Sequence, residues 1–241
     1  MIKITVPNRK TYYLSKKDNV QLKNEGTYGN GSIDWGVRGL YLYEIAEQIG
    51  VKNPVAAKIK KKVYPIDTFI TQDCKINFID VQSSDGQKIL TRTGCFLLGY
   101  GVKKIFSSEI IRLGSNIKRL PIIHTDFILP SGKEVADIDL KMIEQKIIQI
   151  LSSGKQIEAH ILPYYDAVKR LNMMHEEYMI EKIEKNDDGG PVAVDVLDDY
   201  FDLHSGIQLP NLQLLKGINI LDVENTVTRC RIYAELVLNH D

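Results

Sequence analysis

The segment LTRTGCFLLGYGVKKIF, residues 90–106, decides how the middle of the chain folds. Its apolar side chains recur at intervals of three and four residues, which predicts a helix. These side chains are Cys95, Leu98, Val102, Ile105 and Phe106. The first turn holds Arg92, Thr93, Gly94 and Cys95, and of these groups the thiol is the sole candidate for proton transfer near neutral pH.

The composition is that of a folded protein without a charge bias. The 241 residues are 44% hydrophobic, and Lys plus Arg equals Asp plus Glu at 31 each. Zero net charge argues against a globally basic nucleic-acid binder but leaves room for local basic patches. Three widely spaced cysteines form neither a disulfide framework nor a zinc motif, which fits a reducing compartment. No apolar run approaches the length of a membrane span, so we expect no membrane partner.

The first 85 residues have the pattern of a small sheet with one helix. Short alternating segments predict a hairpin and later strands, and five glycines in one stretch predict a loop insertion. A short helix is predicted to end at Gly50. The hairpin, the insertion, the helix and the later strands fall at residues 2–14, 23–39, 40–50 and 54–81. This order suggests a ubiquitin-like β-grasp unit.

The remainder of the chain, residues 86–241, alternates between helical and strand patterns. The segment at 164–183 begins as a helix, with a strand as one option for its end. The other predicted elements are a strand and turn at 124–135, a helix at 137–154 and strands within 192–210, 214–223 and 228–238. The fold class predicted for the whole chain is therefore α+β.

The acidic and histidine residues do not match a known metal motif. No two of the five histidines stand four residues apart on a helix, so we interpret them as isolated. The segment DVLDDYFD, 195–202, lacks the spacing of a calcium loop, and we interpret its four aspartates as a solvated acidic edge. Phosphate-loop, nucleophile-elbow and dinucleotide-binding motifs are missing from the sequence. We expect no metal and no cofactor.

A dense basic cluster, KIKKK at 58–62, falls at a predicted turn between strands. In a continuous strand Lys58, Lys60 and Lys62 would share one face, about 6–7 Å apart, close to the phosphate spacing of a single nucleic-acid strand. The alternatives are a solvated turn or charges that keep a sheet edge from pairing. The candidate phosphate-binding residues are Lys58, Lys60, Lys61, Lys62, Arg9 and Lys10.

Taken together, these segments resemble the N-terminal region of threonyl-tRNA synthetases, a TGS domain followed by the second additional, or editing, domain. Residues 55–81 resemble the end of the TGS domain, where A-A-K-V-N-G leads to D…P…D-C-x-I-x-F. The helix resembles R-H-S-A-A-H-L-L-A-Y-A-V-K-R-L-F, and residues 199–221 resemble D-L-C-R-G-P-H-V-P-x-T-G-x-I-K-A-F-K-L-L. The resemblance implies a TGS-like β-grasp domain at 1–85, with the insertion near 23–39, and a degenerate editing-like domain at 86–241.

Carried over residue by residue, the resemblance implies an editing site that has lost its chemistry. Arg92 and Phe96 stand at the two histidine positions of the helix. His204 stands at the cysteine of the second motif, and Gln208 stands at its histidine. Arginine is not deprotonated in proteins and phenylalanine is apolar, so His204 is left without partners from the family pattern. We therefore expect no catalysis and no bound zinc, and we expect Phe96 to be part of the core.

The degenerate pattern also resembles a mitochondrial large-subunit ribosomal protein, L-thirty-nine in the common naming. That family has R-S-C-A-M in the helix and F-I-D-V-x-x-G-x-x-I-P in the second motif. The resemblance implies a non-catalytic structural protein of the mitochondrial large ribosomal subunit, bound to the ribosome in the matrix. Its partners would be large-subunit rRNA, contacted through the lysine cluster, and neighbouring ribosomal proteins, with no small-molecule substrate.

Other functions stay open on the same residues. The chain could be a tRNA-editing module, the N-terminal half of a threonyl-tRNA synthetase, or the front part of a TGS-bearing nucleoside kinase. We expect that a chain of 241 residues has no room for the synthetase catalytic domain and does not aminoacylate tRNA.

Overall fold

The computed structural model describes residues 2–7, 11–14, 39–106, 111–119, 122–129, 134–186, 189–226 and 229–239. The chain divides into two compact units, Met1–Gly86 and Gln87–Asp241. Most of the glycine-rich insertion predicted at 23–39 lies outside the described residues, as do Arg9 and Lys10.

The first unit is built on a five-stranded sheet. The elements are β1 (Ile2–Thr5), β2 (Thr11–Leu14), β3 (Leu40–Tyr41), α1 (Leu42–Gln48), β4 (Ala56–Ile59), β5 (Lys62–Pro65), β6 (Phe69–Ile70) and β7 (Cys74–Ile79). The strand order is β2-β1-β7-β4-β5. Strand β1 runs parallel to β7, and the other neighbouring strands in this sheet are antiparallel. Strands β3 and β6 form a separate antiparallel pair.

Alternation and helix periodicity build the core of this unit. In β1, Ile2 and Ile4 point inward while Lys3 is exposed, as expected for a strand with one buried face. Helix α1 adds Leu42 and Ile45, which are fully buried in the same core. The predicted hairpin and the predicted short helix are confirmed by these elements.

In the described residues, the second unit contains four α-helices, of which α2 begins at the boundary between the units, and two antiparallel sheets. The elements are α2 (Ser84–Phe106), β8 (Ile111–Arg119), β9 (Ile122–Ile128), α3 (Asp137–Ser152), β10 (Glu158–Leu162), α4 (Tyr164–Met173), α5 (Glu177–Asn186), β11 (Val192–Leu197), β12 (Tyr200–Leu203), β13 (Leu215–Asn225) and β14 (Cys230–Leu238). The sheet orders are β10-β11-β12 and β13-β14-β9-β8. Helix α3 packs against β13, and α4 and α5 pack on one face of the three-stranded sheet.

The segment predicted to begin as a helix at residue 164 contains two helices, and the option of a strand at its end is wrong. Helix α4 ends at Met173, and His175 then takes a left-handed backbone conformation with a φ of 56°. Helix α5 restarts the helical pattern, which places Met179 and Ile183, four residues apart, in the core over the sheet.

The predicted α+β class is confirmed by the mixture of helices and sheets. None of the helices in the described residues combines the length and the hydropathy needed to cross a lipid bilayer.

Candidate functional site

The candidate site lies where the first half of α2 contacts the loop after β12, two segments that are distant in sequence. Arg92 and Thr93 lie on the helix, and residues 204–209 form the loop. The loop begins beside β11, because the His204 amide donates to the Ala193 carbonyl at 2.9 Å. We refer to this region as the helix–loop site.

At the centre of the helix–loop site, a buried carboxylate holds a histidine. The His204 Nδ1 lies 2.7 Å from the Asp195 Oδ1. The Asp195 side chain is 1% exposed, whereas the His204 side chain is 29% exposed. Since an ionised carboxylate can only accept, this bond places the proton on Nδ1 and leaves Nε2 of a neutral ring as an acceptor.

The second oxygen of the carboxylate is held by Gln208. The Gln208 Nε2 donates to the Asp195 Oδ2 at 2.7 Å, and the Gln208 Oε1 accepts from the Thr93 Oγ1 at 2.9 Å. The Thr93 Oγ1 in turn accepts from the Leu209 amide at 2.8 Å. A continuous chain of hydrogen bonds therefore fixes the loop to α2 and satisfies the buried carboxylate.

Arg92 supplies a positive charge beside the histidine. Its Nη1 donates to the Ile207 carbonyl at 3.0 Å. The guanidinium lies against Gly206, where an added Cβ would stand 2.8 Å from the Arg92 Cζ. Gly206 also has a φ of 122°, a conformation that L side chains rarely adopt, so the backbone conformation favours glycine here.

The pKa of His204 records these neighbours. The hydrogen bond that His204 donates to Asp195, together with the negative charge of that carboxylate, raises the pKa of His204 above its ordinary value. Partial burial and the Arg92 charge oppose that increase without cancelling it.

Asp202 lies two residues before His204 and directly across from Asp195 in the sheet, and its Oδ1 accepts from the Leu203 amide at 2.8 Å.

Phe96 lies one turn along α2 from Arg92 and belongs to the core, as predicted. Its side chain is 2% exposed, and Leu97 and Leu98 are fully buried. The Phe96 ring meets the Tyr200 ring edge-on, with centroids 5.0 Å apart. An apolar contact therefore occupies the position where the family pattern has its second helix histidine.

The structure brings three of the four predicted site residues, Arg92, His204 and Gln208, into one hydrogen-bonded region. Sequence reasoning missed Thr93 and Asp195, and the interpretation of residues 195–202 as a solvated acidic edge is wrong for Asp195 and for Asp202, which are both buried. A signal was present, because Asp195 interrupts the apolar strand VAVDVL, and a carboxylate in a buried strand needs partners.

The residues at the four family positions do not fit a metal ion. A guanidinium and a phenyl ring are not ligands, and the Gln208 amide is already bonded at both ends. Within the described part of the chain, no group of three His, Cys, Asp or Glu side chains could hold a metal. Thiol chemistry is also disfavoured, because Cys95 and Cys230 are buried and burial raises the pKa of Cys230 to about 11.

The lysine cluster forms the predicted turn, but its predicted geometry is wrong. Ile59 pairs with Lys62, so Lys60 and Lys61 make a two-residue hairpin turn between β4 and β5. Lys58 pairs with Val63 instead, which places it on the face opposite to Lys62. The turn breaks the continuous strand on which the shared face depended.

The lysine side chains also differ in their surroundings. The Lys58 Nζ bonds the Asp85 carboxylate at 2.8 Å. Lys60, Lys61 and Lys62 are exposed at the tip of the hairpin, and we call them the lysine turn.

Comparison with known proteins finds threonine–tRNA ligases among the relatives of the chain. The chain is 26% identical over 189 residues to the threonine–tRNA ligase of Caldanaerobacter subterraneus. This match covers 77% of the chain and 29% of the ligase. It is 26% identical over 192 residues to the threonine–tRNA ligase of Thermotoga petrophila, covering 80% of the chain and 29% of the ligase. It is 22% identical over 203 residues to the ligase of Clostridioides difficile, and this match covers 83% of the chain and 31% of the ligase.

No protein-family model matches the chain. The chain spans between 29% and 31% of the length of these curated relatives. It is therefore related to a region of threonine–tRNA ligases.

Proposed function

We propose that the chain is a tRNA-binding module that takes the acceptor end of a tRNA at the helix–loop site. The proposal adopts the tRNA-directed alternative from the sequence analysis, and the relation to threonine–tRNA ligases over 77% of the chain supports it. The ribosomal and mitochondrial interpretation receives no such support, since the relatives reported above are ligases.

The arrangement of the site carries the proposal. Arg92 places a guanidinium beside the half-exposed loop at 204–208, and guanidinium groups bind phosphate oxygens and stack on bases. The polar side chains of this site are held in place by one another instead of being randomly exposed. A preformed polar site with a positive charge suits a flexible, negatively charged RNA end.

The two units also suit the domain assignment implied by the resemblance, which we adopt as part of the proposal. The first unit has the strand order 2-1-7-4-5. Strand β7, the last in sequence, lies at the centre of this sheet parallel to β1, and one helix, α1, lies between the two hairpins in sequence. We assign it as a TGS-like β-grasp domain and the second unit as an editing-like domain.

A binding measurement tests the proposal. We would titrate the purified chain into a fluorescent tRNA specific for threonine and into the same tRNA without its single-stranded 3′ end. We expect the truncated tRNA to bind about tenfold more weakly, because each base that stacks on protein contributes about 1–3 kcal/mol. The Arg92→Gln variant should reduce this difference between the two tRNAs.

Two outcomes would contradict the proposal. One is equal affinity for both tRNAs, which would mean that the 3′ end makes no contact. The other is that the chain co-sediments with ribosomes and shows no measurable affinity for free tRNA, which would restore the ribosomal interpretation.

A further inference from the structure

We propose that strand β10, Glu158–Leu162, forms an antiparallel pair with β10 of a second copy of this chain, so that two copies form a symmetric dimer. The proposal concerns the free edge of the three-stranded sheet and is independent of the tRNA-binding proposal. Each copy supplies the same strand, and a twofold contact of this kind closes after two copies. The expected product is therefore a dimer and not an open-ended assembly.

Strand β10 is an edge strand whose outer side is open. It pairs with β11 on one side, and no other strand in the described part of the chain pairs with it. Four of its five residues are exposed, and Ile161 is 76% exposed. Because alternate backbone N–H and C=O groups of an edge strand point away from its neighbour, β10 presents donors and acceptors to an added strand.

Two other sheet edges carry features that hinder such pairing, and β10 lacks them. Helix α3 packs against the edge strand β13, where the Glu144 Oε1 accepts from the Ile220 amide at 2.6 Å. The edge strand β5 begins at Lys62 and ends at Pro65. Lysine and proline on an edge strand disfavour pairing with another chain. Strand β10 contains neither residue type, and it exposes an isoleucine instead.

The charges of β10 select one register for the pair. With a twofold axis at Ala159, Glu158 lies opposite the partner's His160, and His160 lies opposite the partner's Glu158. The same two groups already meet within one chain, where the His160 Nε2 lies 3.0 Å from the Glu158 Oε2. Opposite charges that face each other across two strands stabilise their pairing.

The apolar side chains match in the same register. Ile161 lies opposite the partner's Ile157, which directly precedes the strand, and the two Ala159 methyl groups meet at the axis. An axis at Glu158 would instead place two glutamates opposite each other, and an axis at His160 would place two histidines opposite each other. The register centred on Ala159 is therefore favoured by both charge and apolar contact.

The length of β10 limits the strength of the dimer. The strand has five residues, and Pro163 follows it as the N-cap of α4. A ladder of this length buries less surface than a standard interface of about 1,600 Å². We therefore expect a reversible dimer with a dissociation constant in the micromolar range or weaker.

Sedimentation velocity of the full chain over a range of concentrations tests the proposal. We expect a monomer–dimer equilibrium, and Ile161→Lys should raise its dissociation constant by about tenfold or more, because a lysine on an edge strand disfavours pairing. The matched control is Met173→Lys, since Met173 is 73% exposed but lies at the end of α4. This control should dimerise as the wild type does.

A mixture of two variants tests the charge contacts. Glu158→Lys places an ammonium group opposite the partner's His160, and His160→Glu places a carboxylate opposite the partner's Glu158, so each variant alone should dimerise more weakly than the wild type. Mixed in equal amounts, the two variants should recover dimers. The introduced ammonium then lies opposite the introduced carboxylate, and the other contact keeps the original histidine and glutamate.

Cross-linking locates the axis. Ala159→Cys places two introduced thiols opposite each other, with Cβ atoms about 4.5–5.5 Å apart, so mild oxidation should join two copies. Ile161→Cys places its thiols four residues apart along the ladder, about 13 Å, which is beyond the reach of a disulfide. The wild-type chain, with its own three cysteines, gives the background.

Several results would overturn the proposal. One is a chain that stays monomeric at the highest concentration at which it is soluble, and another is a dimer that Ile161→Lys leaves intact. A mixture of the two charge variants that dimerises no better than either alone would exclude the Glu158–His160 contacts. Cross-linking through Ile161→Cys but not through Ala159→Cys would exclude the register. None of these results bears on the tRNA-binding proposal, which has its own measurement.

Discussion

At the scale of single residues, His204 links the stability of the fold to pH. Because the Asp195 bond raises its pKa, the folded protein holds the His204 proton more tightly than the unfolded chain does. The resulting stabilisation is fully present below the pKa of an unfolded histidine, about 6.5, and is lost as the pH rises through the higher folded pKa. We expect the free-energy difference between wild type and His204→Gln to shrink as the pH rises through this window.

Urea unfolding at a series of pH values measures this difference. The control is His160→Gln, because this histidine pairs with Glu158 at the exposed surface, outside the helix–loop site. If the difference in free energy of unfolding between wild type and His204→Gln stays constant from acidic to alkaline pH, the bond to Asp195 does not favour the protonated ring.

Phe96 gives a second prediction at this scale. Its buried ring fills the space between α2 and Tyr200, so Phe96→Ala should lower the free energy of unfolding by about 3–5 kcal/mol. Phe96→Leu keeps most of the apolar volume and should cost less than the alanine variant. Chemical denaturation checks both variants, and an unchanged midpoint for Phe96→Ala would contradict the burial of the ring.

Sequence reasoning identified His204 but not the residue that gives it a role. The motif resemblance pointed to positions 92, 96, 204 and 208, because a motif is read along the chain. Asp195 lies on a neighbouring strand, and its contact with His204 depends on the pairing of β11 with β12. That pairing follows from the packing of the whole sheet and cannot be read from the local spacing of polar residues.

At the scale of elements, a buried ion pair joins α2 to the connection between α4 and α5. The Lys103 Nζ lies 2.6 Å from the Glu176 Oε1, and the two side chains are 8% and 0% exposed. Removing one partner of a buried pair leaves the other charge in an environment that does not solvate it. We expect Lys103→Met to lower the free energy of unfolding by about 3–5 kcal/mol.

The matched control for this change is Lys185→Met. Lys185 pairs with Glu181 on the exposed surface of α5, and such pairs contribute about 0.3–0.5 kcal/mol. Adding Glu176→Gln to Lys103→Met should recover part of the lost stability, since it removes the remaining charge. If both lysine variants unfold at the same denaturant concentration, the buried pair does not stabilise the contact between α2 and the α4–α5 connection.

The lysine turn separates a structural effect from a binding effect. Lys60 has a φ of 57°, which asparagine tolerates better than lysine, so Lys60→Asn should stabilise the hairpin by about 1 kcal/mol. If the lysines contact tRNA phosphates, the same variant should bind tRNA more weakly. Its salt dependence should flatten by about one unit of slope per lost contact.

Thermal unfolding and tRNA titrations at several salt concentrations measure the two effects. The control is Lys58→Gln, because the Lys58 ammonium already bonds Asp85 and its loss should leave the salt slope unchanged. If a variant of the lysine turn is more stable and binds tRNA with the wild-type salt slope, these lysines do not contact tRNA phosphates.

The elements were predictable where a periodic pattern runs for several residues. The stripe that predicted the central helix is present in α2, and alternation predicted β1 and β2. The errors came from single backbone conformations, at Lys60 and at His175, where the chain takes a positive φ. Neither residue is glycine, so the sequence gave no sign of a positive φ at these positions.

At the scale of the whole molecule, the two units have separate cores and separate candidate roles. The first unit, Met1–Gly86, carries the lysine turn, and the second, Gln87–Asp241, carries the helix–loop site. The α+β class followed from the order of predicted helices and strands, and the relation to threonine–tRNA ligases followed from motifs in the same order along the chain. The inert, ribosomal interpretation rested on substitutions at the motif positions, which could not reveal the Asp195 contact.

The chain of hydrogen bonds through Thr93 and Gln208 also fixes when the site can form during folding. These two residues are 115 positions apart in sequence, so their bond requires the closure of a long loop, which is among the slower contacts of a folding chain. Asp195 and His204 are nine positions apart and come together with the sheet, before or without that closure. A partly folded chain would therefore hold the histidine and its carboxylate without Gln208 to orient them. In refolding experiments, we expect protection of the Leu209 amide from hydrogen exchange to coincide with the last kinetic phase.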